Sequence, residues 1–157
     1  MDQNYETVRR IMLSTNQIDG VYYFLAKQLG VNENMLAFLY ALADGKPHSQ
    51  KEICDKWLIP RTTINSIVKT MLSDGYIMFS EHRHAKEKTL VLTKVGQEYT
   101  DKLLADIYLA EEHAIVETLK QYPPEFVLAL EDFSSRLYGE FQKMYRYKKE
   151  PAKNESF

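Results

Sequence analysis

The alternation of apolar and polar positions between Ser49 and Thr93 predicts two short helices joined by a turn, followed by a hairpin. In the second helix the apolar residues recur at three- and four-residue spacing, as one stripe of a 3.6-residue period. The stripe consists of Ile64, Ile67, Val68, Met71 and Leu72. Gly75 is predicted to end this helix, because glycine readily takes the left-handed conformation.

The first helix is predicted to begin at Ser49, which with Glu52 has the S-x-x-E spacing of a capping box. Ile53 and Trp57 lie four residues apart and are predicted to face inward. Leu58-Ile59-Pro60 then breaks the helix and supplies the turn, because proline cannot continue the helix. After the second helix, residues 76–79 and 89–92 are typical of strands. A helix-turn-helix followed by such a two-stranded wing is typical of proteins that read DNA.

The polar face of the second helix carries short hydrogen-bonding side chains and two cations. Its residues are Arg61, Thr62, Thr63, Asn65, Ser66 and Lys69. No acidic residue lies between Asp55 and Asp74, whereas a solvated helix face usually pairs Glu with Lys. An acid-free face of this kind favours contact with phosphates and base edges. A merely polar surface helix is the alternative interpretation.

The predicted hairpin tip, residues 80–88, is basic. It carries Arg83, Lys86 and Lys88 together with His82 and His84, against Glu81 and Glu87. A basic tip beside a polar helix can reach the adjacent minor groove and its phosphates. The two histidines could also begin a metal site with one of the glutamates, but phosphate contact or simple solvation is the preferred interpretation. No metal site and no cofactor are therefore predicted.

Charge is distributed unevenly although the net charge is only −2. Residues 46–94 contain nine Lys and Arg against five Asp and Glu, a net +4, and the remainder of the chain carries −6. A basic island in an acidic body orients a protein on a polyanion.

Both ends of the chain are predicted to be long amphipathic helices. The first has a repeating apolar stripe with one polar break, formed by Val8, Ile11, Thr15, Ile18, Tyr22, Leu25 and Leu29. The last carries Phe126, Leu130, Phe133, Leu137, Phe141 and Met144. A winged module of about fifty residues cannot cover these stripes, so a second chain is the simplest partner. A symmetric dimer would match a palindromic site in double-stranded DNA.

Other features limit the function classes. The chain has no apolar run long enough for a membrane span and begins without a secretory signal, which predicts a cytoplasmic location. No serine–histidine–aspartate set, phosphate loop or paired-carboxylate signature points to an enzyme. Cys54 is predicted to be a buried structural thiol, with a redox sensor as the alternative.

On these residues the chain resembles the MarR family, the multiple-antibiotic-resistance type of winged helix-turn-helix regulator. The most diagnostic stretch runs from Arg61 to Ile77 and is followed by Leu92-Thr93-x-x-Gly96. The resemblance implies a mainly α fold with a small β-hairpin wing and a single domain over residues 1–157. Residues 1–30 and 122–147 would be dimerisation helices, 46–94 the winged helix-turn-helix, and 148–157 a flexible tail.

The resemblance further implies a homodimer that binds DNA and represses transcription until a small molecule releases it. Aromatic residues able to line a pocket for a small aromatic effector are Tyr22, Phe38, Tyr40 and Tyr108. Two features depart from the family pattern. His84-Ala85-Lys86 stands where the wing usually has Asp-x-Arg, and Pro60 stands where the recognition helix usually has a capping Ser or Thr. A winged-helix module that binds protein and not DNA remains the alternative function.

Overall fold

The computed structural model describes residues 2–80 and 88–149, with side chains described as far as residue 145. In these ranges lie six helices and three short strands: α1 Gln3–Gln28, α2 Glu33–Leu42, β1 His48–Ser49, α3 Gln50–Trp57, α4 Arg61–Ser73, β2 Ile77–Phe79, β3 Thr89–Leu92, α5 Lys94–Leu119 and α6 Glu125–Lys149. The mainly helical fold with a small β wing is therefore confirmed. The chain divides into two compact units, with the division inside α5 after Asp106. Within the described ranges, no helix combines the length and apolar character needed to cross a membrane.

The core of the first unit is one hydrophobic cluster contributed by α2, α3, α4 and the wing strands. Four residues of the predicted α4 stripe are buried, and Leu72 packs against the cluster from its edge. Each buried apolar side chain of this size contributes roughly 1.5–3 kcal/mol relative to an exposed one. This burial fixes the rotation of α4 about its axis, so the opposite face is directed away from the core.

Side-chain caps start three helices of the first unit, at Asp2 for α1, Asn32 for α2 and Ser49 for α3. The Asn32 side chain accepts a hydrogen bond from the backbone N–H of Met35 at 2.8 Å, and Ser49 Oγ accepts one from Glu52 N–H at 3.1 Å. At the end of α4, Gly75 has a φ of 73°, as the sequence predicts. Only half of the predicted capping box is seen, since the Glu52 carboxylate is directed to Lys56 Nζ at 2.7 Å and to His48.

The turn between α3 and α4 lies at the predicted residues 58–60, whereas the position of Trp57 differs from its prediction. Leu58 ends α3 in the left-handed conformation with a φ of 51°, ahead of Pro60, and 68% of its surface is exposed. The prediction that Trp57 faces inward is wrong, because 41% of this residue is exposed. Its ring meets Tyr40 edge-to-face, with 5.7 Å between centroids. Ile59 supplies the buried apolar anchor of the turn instead.

The three strands form an antiparallel sheet in the order β1-β3-β2. Ile77 pairs with Leu92 and Phe79 with Leu90, so the buried Ile77 and Leu90 attach the wing to the core. The two-residue strand β1 is absent from the sequence prediction. Residues 81–87 of the predicted wing tip lie outside the described residues, as does the part of the predicted tail beyond Lys149.

The second unit contains the end of α5 and the whole of α6. The apolar stripe predicted for α6 is largely exposed in the single chain. Phe126, Leu130, Phe141 and Met144 are between 37% and 58% exposed. Phe133 and Leu137, on the same stripe, are half-buried.

Candidate nucleic-acid interface

The exposed face of α4 contains the residues that the sequence nominates for DNA contact. Arg61, Thr62, Asn65, Ser66 and Lys69 are exposed, and Thr63 is half-buried. Thr62, Ser66 and Lys69 follow one another at helical spacing on the side opposite Ile64 and Ile67. The hydroxyl and ammonium groups of these residues, and the side-chain amide of Asn65, can donate to phosphate oxygens or pair with base edges.

The first turn of α4 has no side-chain cap. Pro60 occupies the cap position with a φ of −58°, and only its carbonyl takes part, accepting from the Ile64 N–H at 3.0 Å. No acidic residue lies in this first turn. The remaining backbone N–H groups at the helix start therefore face outward beside Arg61, which is an electrostatic environment suited to a phosphate.

The described part of the wing places one of its three predicted cations. Lys88 Nζ lies 5.2 Å from the centre of the Phe79 ring, across the base of the hairpin. The Ser80 N–H donates to the Thr89 carbonyl at 2.8 Å and closes the described base of the hairpin. Arg83 and Lys86 lie outside the described residues.

Acidic groups near the start of α3 are engaged by a histidine. His48 Nε2 lies 2.9 Å from Asp44 Oδ1, and His48 Nδ1 lies 3.3 Å from Glu52 Oε2. Burial acts to raise the pKa of Asp44, but hydrogen bonds from the Lys46 backbone and from His48 outweigh it and lower the pKa. The hydrogen bond from Lys56 is the main cause that lowers the pKa of Glu52, and His48 adds to it. These carboxylates are thus held within a local network of cations and donors.

A polar contact network joins the end of α4 to the start of α5. Thr93 Oγ1 donates to the Gly75 carbonyl at 2.7 Å and accepts from the Gly96 N–H at 3.0 Å. The Thr93 N–H donates to the Tyr76 carbonyl at 2.9 Å. Tyr76 also stacks on Tyr99 of α5, with 4.7 Å between ring centroids. These contacts therefore fix α4, the wing and α5 to one another.

A cavity of about 580 Å³ lies between α1, α2 and the α3–α4 turn. Its walls include four aromatic residues, Tyr22, Tyr23, Tyr40 and Trp57. Two carboxylate residues, Asp19 and Glu33, and the amide of Asn34 complete its polar lining. Of the lining residues, Ile59 lies closest in sequence to α4.

The four residues proposed from sequence for an effector pocket are placed differently. Tyr22 and Tyr40 line the cavity, whereas Phe38 is fully buried in the hydrophobic core. Tyr108 belongs to the second unit. Sequence reasoning missed Asp19, Glu33 and Trp57. The sequence marks Asp19 and Glu33 only as surface acids, because their proximity to Trp57 requires the packing of three helices.

Cys54 is the candidate redox residue of the chain, and His82 and His84 are its candidate metal ligands. Cys54 is buried in α3, and burial raises the pKa of its thiol above the usual range, which makes the reactive thiolate less accessible. Among residues 2–80 and 88–149, no three His, Cys, Asp or Glu side chains are grouped to hold a metal ion. His82 and His84, the candidates from sequence, lie outside those ranges.

Comparisons with known proteins agree with this geometry. Residues 29–86 match the model of the MarR family. A MarR family regulator from Neisseria meningitidis has a similar structure, with 24% identity, a TM-score of 0.69, and coverage of 95% of this chain and 100% of the other. No curated protein gives a significant sequence match.

Two further solved structures carry ligands. A Listeria monocytogenes protein assigned to the MarR family, in complex with a 26mer DNA, is 19% identical with a TM-score of 0.61, over 96% of this chain and 97% of the other. The MarR protein of Staphylococcus aureus, in complex with salicylate and kanamycin, is 14% identical with a TM-score of 0.59, over 89% of this chain and 93% of the other. At these identities the likeness is one of fold.

Proposed function

We propose that this chain, whose residues 29–86 match the model of the MarR family, is a DNA-binding transcriptional repressor that acts in the cytoplasm as a non-catalytic homodimer. The observation that carries the proposal is the exposed, acid-free face of α4, held in orientation by the buried stripe behind it. A surface helix without function usually carries acidic residues among its cations.

In this proposal α4 enters the major groove and reads base edges. Asn65 can pair bidentately with adenine, while Arg61 and Lys69 at the two ends of the face meet phosphates. Lys88, and the wing cations Arg83 and Lys86, add phosphate contacts along the neighbouring groove. Base contacts then supply specificity, and the wing supplies salt-dependent affinity.

The apolar exposure of the terminal helices supports a dimer. In the single chain α6 exposes Phe126, Phe141 and Met144, and α1 exposes Ile18, Val21 and Phe24. Exposed apolar surface of this extent on a monomer marks an interaction surface. A second copy covers it by symmetry and presents two recognition helices to a palindromic operator.

The cavity supports release by a small molecule. Trp57 and Ile59 line it and flank Leu58, and Pro60 and the start of α4 follow directly. A ligand against Trp57 and Ile59 therefore presses on the segment that positions Arg61 and Thr62. The Staphylococcus aureus neighbour, which holds salicylate and kanamycin, supports a ligand-responsive role for the fold.

A gel-shift titration on the DNA upstream of the chain's own gene tests DNA binding, with scrambled DNA of the same length as competitor. Asn65→Glu places an acid on the recognition face and is expected to abolish the specific complex. Asn4→Glu, which makes the same chemical change at an exposed position in the first turn of α1, is the matched control. Equal binding by both variants, or no binding by the parent to any DNA, would favour a protein-binding winged helix instead.

A further inference from the structure

We infer that the cavity beside Trp57 binds organic cations that carry an aromatic or alkyl group, and discriminates against aromatic carboxylates. The inference deepens the proposed function and rests on it for the role of the ligand as an effector. The binding preference itself rests on the chemistry of the cavity walls.

The first argument is the aromatic lining. Four aromatic rings contribute to the cavity, and Tyr40 and Trp57 stand edge-to-face at an interplanar angle of 61°. Because the two ring planes are inclined to each other, their faces point in different directions at the cavity wall. The face of an aromatic ring carries negative electrostatic potential, so a cation within about 6 Å of a ring centre is attracted, most strongly by Trp.

The second argument is the charge of the lining. Asp19 on α1 and Glu33 in the first turn of α2 are its two ionisable carboxylates. Among the described residues that line this cavity, there is no Lys, Arg or His. Lys27 of α1 lines a neighbouring cavity of about 400 Å³, which shares Tyr23, Glu33 and Asn34 with this one. A ligand carboxylate in this cavity would face two like charges and no cation among the lining residues, which is unfavourable in a partly desolvated site.

The size of the space matches the same ligand class. A cavity of about 580 Å³ falls within the range of roughly 300–1,000 Å³ typical of small-molecule sites. Apolar side chains, including Ile18, Leu36 and Ile59, form the remainder of the wall. They can take the apolar body of a ligand while its charged group faces the carboxylates and rings.

The experiment uses the full chain and the fluorescence of Trp57, its single tryptophan. Three probes of similar size are titrated: benzyltrimethylammonium, its uncharged carbon isostere neopentylbenzene, and salicylate. Saturable quenching is expected with the cation, with a dissociation constant about tenfold lower than that of either other probe. Salicylate binding as tightly as the cation, or no saturable response to the cation, would overturn the inference.

Variants of the two carboxylate residues test whether their charges cause the preference for a cation. Removing both charges with Asp19→Asn and Glu33→Gln is expected to weaken the cation about tenfold and to leave the neutral isostere unchanged. The control removes two exposed carboxylates elsewhere, with Glu6→Gln in α1 and Glu98→Gln in α5. Unchanged cation affinity in the Asp19/Glu33 variant would also overturn the inference, and circular dichroism establishes that each variant is folded.

Failure of this inference and failure of the proposed function give different results. The gel shift without ligand tests DNA binding alone, whatever the cavity prefers. If salicylate binds and releases DNA while the cation does neither, the proposed function stands and the charge preference is wrong. If the cation binds with the expected preference but the parent binds no DNA, the site stands and its regulatory role is wrong.

Discussion

A Cβ atom added at Gly96 would lie 1.8 Å from the backbone carbonyl oxygen of Tyr76. That carbonyl accepts the N–H of Thr93, and Thr93 also bridges Gly75 and Gly96. The first turn of α5 therefore touches the backbone at the start of the wing directly. Glycine is required at position 96 because of this close approach. Its backbone conformation does not require glycine, because its φ is not positive.

Gly96→Ala is consequently expected to destabilise the fold. The methyl group would meet backbone atoms, which cannot turn aside as a flexible side chain can, and overpacking of this kind costs about 1–3 kcal/mol or more. Urea unfolding should give a lower midpoint at unchanged m. Gly20→Ala in α1 is the control, because a Cβ there meets nothing within 4 Å. That change should be neutral or stabilise by about 0.5–1 kcal/mol, and equal midpoints for both variants would contradict the prediction.

Leu58→Gly is expected to stabilise the protein despite the loss of an apolar side chain. A left-handed conformation costs a non-glycine residue roughly 1–2 kcal/mol, and the Leu58 side chain is mostly exposed. After the entropy cost of glycine in the unfolded chain, a gain of about 0.5–1 kcal/mol should remain. Leu58→Ala is the control that removes the side chain and keeps the strain. A glycine variant no more stable than the alanine variant would show that the turn is unstrained.

Thr100→Val is expected to stabilise the protein by about 1 kcal/mol. Thr100 is fully buried, and its hydroxyl has no hydrogen-bond partner among the described residues. An unsatisfied buried polar group costs roughly 1–3 kcal/mol, which an isosteric apolar group avoids. Thr118→Val in the same helix is the comparison, because that hydroxyl donates to the Ala114 carbonyl at 2.8 Å. Thermal unfolding that ranks the Thr118 variant above the Thr100 variant would argue against this account.

Stability is expected to fall in acid partly because Asp44 and Glu52 must be protonated. The ordinary pKa values of Asp and Glu are 3.8 and 4.5, and hydrogen bonds lower the pKa of both groups in the folded state. A depressed pKa stabilises the fold above the unfolded-state value, and this contribution is lost as the pH falls through the folded-state value. Glu52→Gln should therefore flatten the rise in unfolding free energy between about pH 3 and pH 6. Glu98→Gln is the control, and the same slope for Glu52→Gln and the parent would refute the assignment.

Asn65→Ala and Lys86→Ala are expected to affect DNA binding in different ways. Loss of the Asn65 amide should cost about 1–3 kcal/mol of discrimination between operator and scrambled DNA. Loss of the Lys86 charge should weaken binding to all sequences alike. It should also reduce the slope of log K against log salt by about 0.9 if Lys86 neutralises one phosphate. Titrations at several salt concentrations measure both effects, and an unchanged slope would indicate that Lys86 makes no phosphate contact.

Local patterns were sufficient to predict most helices and the orientation of α4. The apolar stripe from Ile64 to Leu72 repeats at helical spacing, and burial of that stripe leaves only one face for Asn65 and Ser66. The cap at Ser49 and the stop at Gly75 depend on side chains and backbone angles within a few residues. Because these signals are local, they are present in the sequence itself.

Tertiary packing decided the remainder. β1 exists only because His48 and Ser49 pair with Leu90 and Thr89, some forty residues away. The Trp57 ring lines a cavity and does not join the hydrophobic core. It contacts the ring of Tyr40, which lies on another helix and is distant in sequence. The sequence identifies Asp19 and Glu33 only as surface acids, whereas packing of α1 against α2 brings both into the lining of one cavity. Contacts between residues distant in sequence depend on how helices pack, and periodicity along a single helix does not contain that information.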